Sequence, residues 1–232
     1  MIFGIYPGGT SGTETGMTSG PANDPQKISR ALDRLQGTAN EFIIRAYTGY
    51  KGSGQPITTV PEKPDQYLKA GRKLDLVLCF QSTETDLAGW KDFIKEQLRT
   101  YSTHLSYLQV TEEANVNLPS LDGYYEASRK ALVEGIIFAK TEMRKSGMDI
   151  KVGFNATPDF NPNRQFWKEI RDLATPDFYA SLDYGVLELC PDVVRPLPRE
   201  NGKIMVYEPL KQVISFFSND IMYDIKDGKI GY

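Results

Sequence analysis

Leu105-Ser106-Tyr107-Leu108-Gln109-Val110-Thr111-Glu112-Glu113-Ala114-Asn115 reads as a strand buried in a sheet that ends on two adjacent carboxylates. On its N-terminal side, a segment over about 86–101 carries Trp90, Phe93, Ile94 and Leu98 at helical spacing, and Leu74–Phe80 before it is an apolar run. On its C-terminal side, Tyr125, Leu132, Ile136, Ala139 and Met143 share one face of a helix expected over about 123–145, followed by a strand at Ile150–Phe154. Strands apolar at nearly every position, alternating with amphipathic helices, are the pattern of a parallel sheet covered on both faces.

The rest of the chain keeps this rhythm. Ile2–Tyr6 is a first strand closed by Pro7-Gly8-Gly9, and a loop rich in Gly, Thr and Ser runs to about Asn23. Asp24-Pro25 opens a helix with Ile28, Leu32 and Leu35 on one stripe, and Gly37 stops it. Phe42–Ala46 is the second strand. A Gly- and Pro-rich loop to Pro64 and a short helix to Gly71 lead to the third at Leu74–Phe80. Later come a helix over about 164–173, a sixth strand at Tyr179–Leu189, a weak seventh run at Lys203–Tyr207 and a helix at Pro209–Ile221. The expectation is one α/β domain over residues 1–232, a (β/α)8 TIM-type barrel with about six clear units, apparently incomplete at the C-terminal end. A doubly wound sheet is the alternative; neither G-x-G-x-x-G nor G-x-x-x-x-G-K-[ST] occurs to support it.

Composition bounds the function. With 40% hydrophobic and 25% charged residues and a net charge of −3, the chain has an ordinary globular balance and no basic footprint for nucleic acid. No apolar run reaches the roughly 18 residues of a membrane span, and the N-terminus has no secretory pattern, so a cytoplasmic address is expected. Cys79 and Cys190 lie in apolar stretches and read as small core residues. The single histidine, His104, sits at the start of the fourth strand and gives neither a Ser-His-Asp triad nor a zinc cluster; no metal or cofactor is expected. Trp90 and Trp167 lie on helical faces as outer core.

In a barrel, chemistry sits at the C-terminal ends of strands. Those ends here supply Tyr6, Arg45, Gln81, Glu112 with Glu113, Asn155 and Glu188. Strand alternation places Glu113 on the face of Gln109 and Thr111, with Glu112 turned the other way. A carboxyl in a partly apolar pocket gains proton affinity, as a general acid near neutral pH requires. Two adjacent carboxylates before a helix also serve as capping residues, but the helix starts only near Asp122, too far for Glu113 to cap. Arg45 either binds substrate oxygens or ion-pairs with a carboxylate such as Glu113. Asn155 either bonds a sugar hydroxyl or caps the Thr157-Pro158 turn.

Glu112-Glu113-Ala114-Asn115, the helix containing Tyr125-Glu126-Ala127, and Ile150-Lys151-Val152-Gly153-Phe154-Asn155 resemble the retaining (β/α)8 glycoside hydrolases. Leu182–Leu189 with Cys190-Pro191-Asp192-Val193 is similar to that superfamily's sixth strand, and the resemblance spans roughly residues 1–222. Its members carry catalytic glutamates at the ends of strands four and seven, the fourth in an Asn-Glu-Pro pattern. The resemblance therefore implies that Glu113 is the acid/base and that a carbohydrate is the substrate. Glu112 stands where the superfamily has Asn. Glu208, in Val206-Tyr207-Glu208-Pro209, is the only candidate near the place of the seventh-strand nucleophile, and with Pro209 it reads better as a helix N-terminal residue. Glu188 is another candidate second carboxylate.

Three alternatives follow: a glycosidase using Glu113, an inactive barrel that holds carbohydrate, and a truncated barrel. Exposed strand edges invite pairing, so an incomplete barrel is expected either to form a homo-oligomer or to be plugged by its own Lys229-Ile230-Gly231-Tyr232.

Overall fold

The structure, a computed structural model, describes residues 2–13, 16–39, 41–157, 165–188, 199–200 and 203–204. Its centre is a parallel sheet of six strands: β1 (Phe3–Ile5), β4 (Phe42–Tyr50), β6 (Lys73–Phe80), β7 (Leu105–Val110), β8 (Lys151–Ala156) and β9 (Tyr184–Leu187). They are hydrogen-bonded in that order, β1-β4-β6-β7-β8-β9, so each strand lies beside the one before it in the parallel series. A doubly wound sheet reverses direction at a switch point. No reversal occurs among the described residues, whose sheet is a curled half-barrel of the α/β class.

The pleat gives this sheet two unlike faces. Ile44, Ala46, Leu74, Leu76, Leu78, Phe80, Leu108, Val110, Val152 and Phe154 belong to one buried cluster, which also includes Trp90, Phe93 and Ile94 of α2 (Ala88–Tyr101). Leu132, Ile136 and Ala139 of α3 (Ser128–Ser146) join it, with Trp167 of α4 (Gln165–Leu173) and Phe178 of α5 (Pro176–Ser181). The register puts Arg45, Tyr47, Asp75, Val77, Tyr107, Gln109, Gly153 and Tyr184 on the opposite face. Apolar side chains thus leave water under the helices, while polar and tyrosine side chains line the concave side. An extra residue at Ser106 restores this alternation, since Leu74 pairs with Leu105 but Asp75 with Tyr107.

Local chemistry sets the helix ends. In α1 (Pro25–Gln36) Asp24 Oδ1 accepts the Gln26 and Lys27 amides, Pro25 takes the first turn, and Gly37 ends the helix at φ 55°. Thr175 caps α5 in the same manner, ahead of Pro176. Buried Arg72 donates from Nε to Gln36 Oε1 at 2.8 Å and ion-pairs with Asp33, tying α1 to the entry of β6.

Four expectations need correction. The Gly/Thr/Ser loop contains a hairpin, β2 (Thr10–Thr13) with β3 (Gly16–Ser19). The second strand runs on to Tyr50 and pairs antiparallel with β5 (Thr58–Val60). Residues 176–181 are helical, because the Thr175-Pro176 cap outweighs the apolar run, and the sixth strand begins only at Tyr184. A 3₁₀ turn at Asp122–Tyr124 stands where the start of the long helix was expected, leaving Tyr125 before α3. Beyond Glu188, which follows β9, the structure describes only β10 (Arg199–Glu200) paired with β11 (Lys203–Ile204). Glu208, the Pro209–Ile221 helix, Cys190 and the 229–232 segment lie outside the described residues.

Gly123, inside that turn, has no room for a side chain. A Cβ there would lie 2.3 Å from the Val116 carbonyl oxygen and 2.7 Å from its nitrogen, both backbone atoms. Gly123→Ala is expected to lower stability by about 1–3 kcal/mol, the usual cost of overpacking, as a shift in the urea midpoint.

Candidate active site

The segment leaving β7 does not continue the strand. Thr111 and Glu113 adopt left-handed backbone angles, φ 71° and 45°, which non-glycine residues rarely take. Such strain persists only where surrounding bonds hold it, and it gathers at functional sites. Three side chains supply those bonds here. Asn155, on β8 and 0% exposed, accepts the Glu113 amide on Oδ1 at 2.6 Å. Asp122, also 0% exposed, accepts the amides of Glu112 at 2.7 Å and of Phe80 at 2.6 Å on one oxygen. Asn115 exchanges hydrogen bonds with Thr157 beyond β8, donating to its carbonyl at 3.0 Å and accepting its amide at 3.2 Å.

The left-handed backbone at Thr111 and Glu113 ends the regular strand alternation from which the facing of Glu112 and Glu113 was expected. Glu112 Oε2 accepts from Asn155 Nδ2 at 2.6 Å, and the charge of Glu188 bears on both glutamates. Both carboxyls therefore lie within reach of the Glu188 charge at the C-terminal end of the sheet.

Behind them runs a directional relay across the concave face. Arg45 Nε donates to Asp75 at 2.9 Å, and Gln109 Nε2 donates to both Asp75 oxygens at 2.9 and 2.8 Å. Asn155 Nδ2 donates to Gln109 Oε1 at 3.0 Å. Arg45 also ion-pairs with Glu188, so it bridges β4 to the residue after β9 and meets Asp75 and Glu188, not Glu113. Burial alone pulls the Arg45 guanidinium toward neutrality, but Asp75 and Glu188 more than offset it and raise its proton affinity.

The acids are tuned in the opposite sense from surface carboxylates. Burial, then the charge of Glu188, raises Glu113 to about 7. Burial, then the charges of Glu188 and Glu113, lifts Glu112 well above the usual carboxylate range. Asp122 rises to about 7, mostly through burial, although its two amide bonds pull the other way. A half-buried acid that holds its proton to neutral pH at the end of a barrel strand can protonate a leaving oxygen.

Asn155 has both amide protons and its carbonyl engaged within the protein, which makes it a positioning residue for the Glu112–Glu113 turn. Asn155→Ala would leave the Glu113 amide without its acceptor, and stability should fall by about 1–3 kcal/mol in urea denaturation. Gln81 donates from Nε2 to the Ser120 carbonyl at 3.2 Å and so steadies the loop before Asp122. Tyr6, half-buried at the end of β1, meets Tyr47 edge to face with ring centroids 5.2 Å apart. Asp75, Gln109 and Asp122 had no part in the sequence-based site. Gln109 was visible through its parity with Glu113, whereas Asp122 looked like a helix start. Among the described residues no group of three or more His, Cys, Asp or Glu is placed to hold a metal ion.

Fold and site together define an α/β half-barrel with a carboxyl cluster at the C-terminal ends of its strands. No protein-family model matches this chain, and no curated protein matches it. Among solved structures it is similar to a chitinase from Ipomoea carnea, with 14% identity and a TM-score of 0.43 over 94% of this chain and 75% of that one. At that TM-score the likeness bears no weight, and the fold stands on its own strand order.

Proposed function

We propose that this chain is a glycoside hydrolase-like protein that acts on a carbohydrate, with Glu113 as general acid/base. The observation that supports this most is the placement of Glu113. It follows the fourth parallel strand, on a backbone held in a strained conformation by Asn155, and burial with Glu188 raises it to about 7. As an acid it would pass its proton to the glycosidic oxygen as the C–O bond breaks; as a base it would then take a proton from the attacking water. A second carboxylate serves as nucleophile or stabiliser of the cationic sugar. Glu188, ion-paired with Arg45, is the described candidate, and Glu208 is the other.

The Arg45 partnership favours one further possibility. An oxygen of Glu188 occupied by a guanidinium is a poor nucleophile, as in a barrel that holds a saccharide without cleaving it. Incubation with a panel of aryl glycosides and saccharides separates the two. Turnover by the wild type, lost in Glu113→Gln, supports the hydrolase. Saccharide binding with no turnover by either protein supports the binding barrel.

A further inference from the structure

We propose that Asp75, two side-chain amides away from Glu113, is a positioning residue that sets the hydrogen-bond direction on which the Glu112–Glu113 turn depends. The kinetic side of the inference rests on the carbohydrate assignment above; the positioning itself does not. Three observations carry it. First, each end of the relay has a single role. The backbone N–H of Glu113 donates, and Asp75, ion-paired with Arg45, offers only acceptors. Second, the two amides between them read the same way from either end. Asn155 turns Oδ1 to the Glu113 amide at 2.6 Å, which leaves Nδ2 for Gln109 Oε1 at 3.0 Å. Gln109 then has Nε2 for Asp75, where it reaches both oxygens at 2.9 and 2.8 Å. Third, the relay is buried along its length: Asp75 is 6% exposed, Gln109 1% and Asn155 0%. A donor set against a donor here loses a bond that bulk water does not replace.

Asp75→Asn reverses the direction with little change of shape. Arg45 can only donate, so it claims the new side-chain oxygen, and a nitrogen stands at the place of Oδ1, 2.9 Å from Gln109 Nε2. If Gln109 turns over, its Nε2 meets Asn155 Nδ2. If Asn155 turns as well, its Nδ2 meets the Glu113 amide. The conflict moves along the relay and does not leave it. Gln109→Glu in the same chain removes it: a carboxylate at position 109 accepts from the new amide at 75 on one side and from Asn155 on the other. The relay then carries the same total charge as in the wild type. Gln109→Glu alone sets two carboxylates face to face.

Amide hydrogen exchange followed by NMR reads this in the full chain without any substrate. Wild type, Asp75→Asn, Gln109→Glu and the double variant are compared at the Glu113 amide, relative to the amides of α2, which report general loosening. Exchange at Glu113 should speed up about tenfold or more in each single variant, and the double variant should return to within about threefold of wild type. A Glu113 amide no more affected than those of α2, or a double variant as impaired as the worse single one, would overturn the inference. Where the single variants do not fold, a double variant that folds supports it and one that does not overturns it. Kinetics on a glycoside that the wild type cleaves give a second arm. Asp75→Asn should lower kcat about tenfold or more with KM within about threefold, because the acid is misplaced while contacts to the sugar remain. Adding Gln109→Glu should regain most of that loss; equal losses in the single and double variants would overturn the inference. Rescue of the Glu113 amide in a protein that cleaves no glycoside defeats the hydrolase assignment and leaves the positioning standing. A turn indifferent to Asp75 in an active glycosidase defeats this inference alone.

Discussion

Under the proposed hydrolase function, Glu113→Gln is expected to lower kcat/KM by about 10²–10⁴ on glycosides with poor leaving groups, the usual contribution of a positioned general acid. The loss should shrink on substrates with activated leaving groups, because a nitrophenolate departs without being protonated. That contrast separates an acid from a residue that merely binds sugar, which would lower both substrates equally. The wild-type profile carries the same signature. An acid with its midpoint raised to about 7 is protonated below neutrality, so the proton-dependent rate should fall as pH passes through that value. In the Gln variant the limb should vanish along with the activity. A wild type whose rate on poor leaving groups is flat from pH 5 to 9 would remove Glu113 from this role.

Thermal stability should fall as pH rises from about 5 to 7, and Asp122→Asn should flatten that fall. Glu112, Glu113 and Asp122 all bind their protons more tightly in the folded chain than an ordinary carboxyl does. Above the unfolded values the unfolded chain has already released these protons, while the folded chain still holds them. Raising the pH through that window therefore favours unfolding. The fully buried Asp122, moved from 3.8 to about 7, takes away at most about 1.4 kcal/mol per pH unit across it. Over two units that corresponds to a melting point lower by roughly 5–10 °C in a chain of this length. Asn at position 122 keeps a neutral acceptor for the Phe80 and Glu112 amides and has no proton to lose. Asp24, Glu84 and Glu142 are shifted the other way by their hydrogen bonds, so their stabilisation is lost only as pH falls below the ordinary carboxylate range. Equal melting points at pH 5 and 7 in the wild type would contradict this account.

Much of the fold was written in periodicity. The apolar runs from Phe42, Leu74, Leu105 and Ile150 are strands, and the helical stripes at 90–98 and 132–143 face the sheet, as spacing alone required. Spacing was least informative where local bonds decide. Tyr179–Leu189 read as one strand, although Thr175-Pro176 carried a helix-start signal that accounts for the helical turn. The hairpin at Thr10–Ser19 is built from Gly, Thr and Ser, whose composition reads as loop. In the site, Glu113, Arg45, Asn155 and Glu188 were singled out and the structure brings them together. The left-handed angles at Thr111 and Glu113 were not legible, because no glycine announces them. Asp122 was missed because its work is to accept two amides from segments 10 and 42 residues away, and no short pattern encodes that.

The outward side of β1 shows Phe3 67% exposed and Ile5 40% exposed, with Leu35 of α1 59% exposed. Each parallel strand is added next to its predecessor, so the sheet grows at one margin and β1 stays at the other. A ribosome releasing this chain would offer every new strand a template that is already in place, without inserting it between finished neighbours. Assembly in the order of synthesis is then the natural course. Among the described strands, the greasy margin of β1 is made before the others and waits longest for a cover.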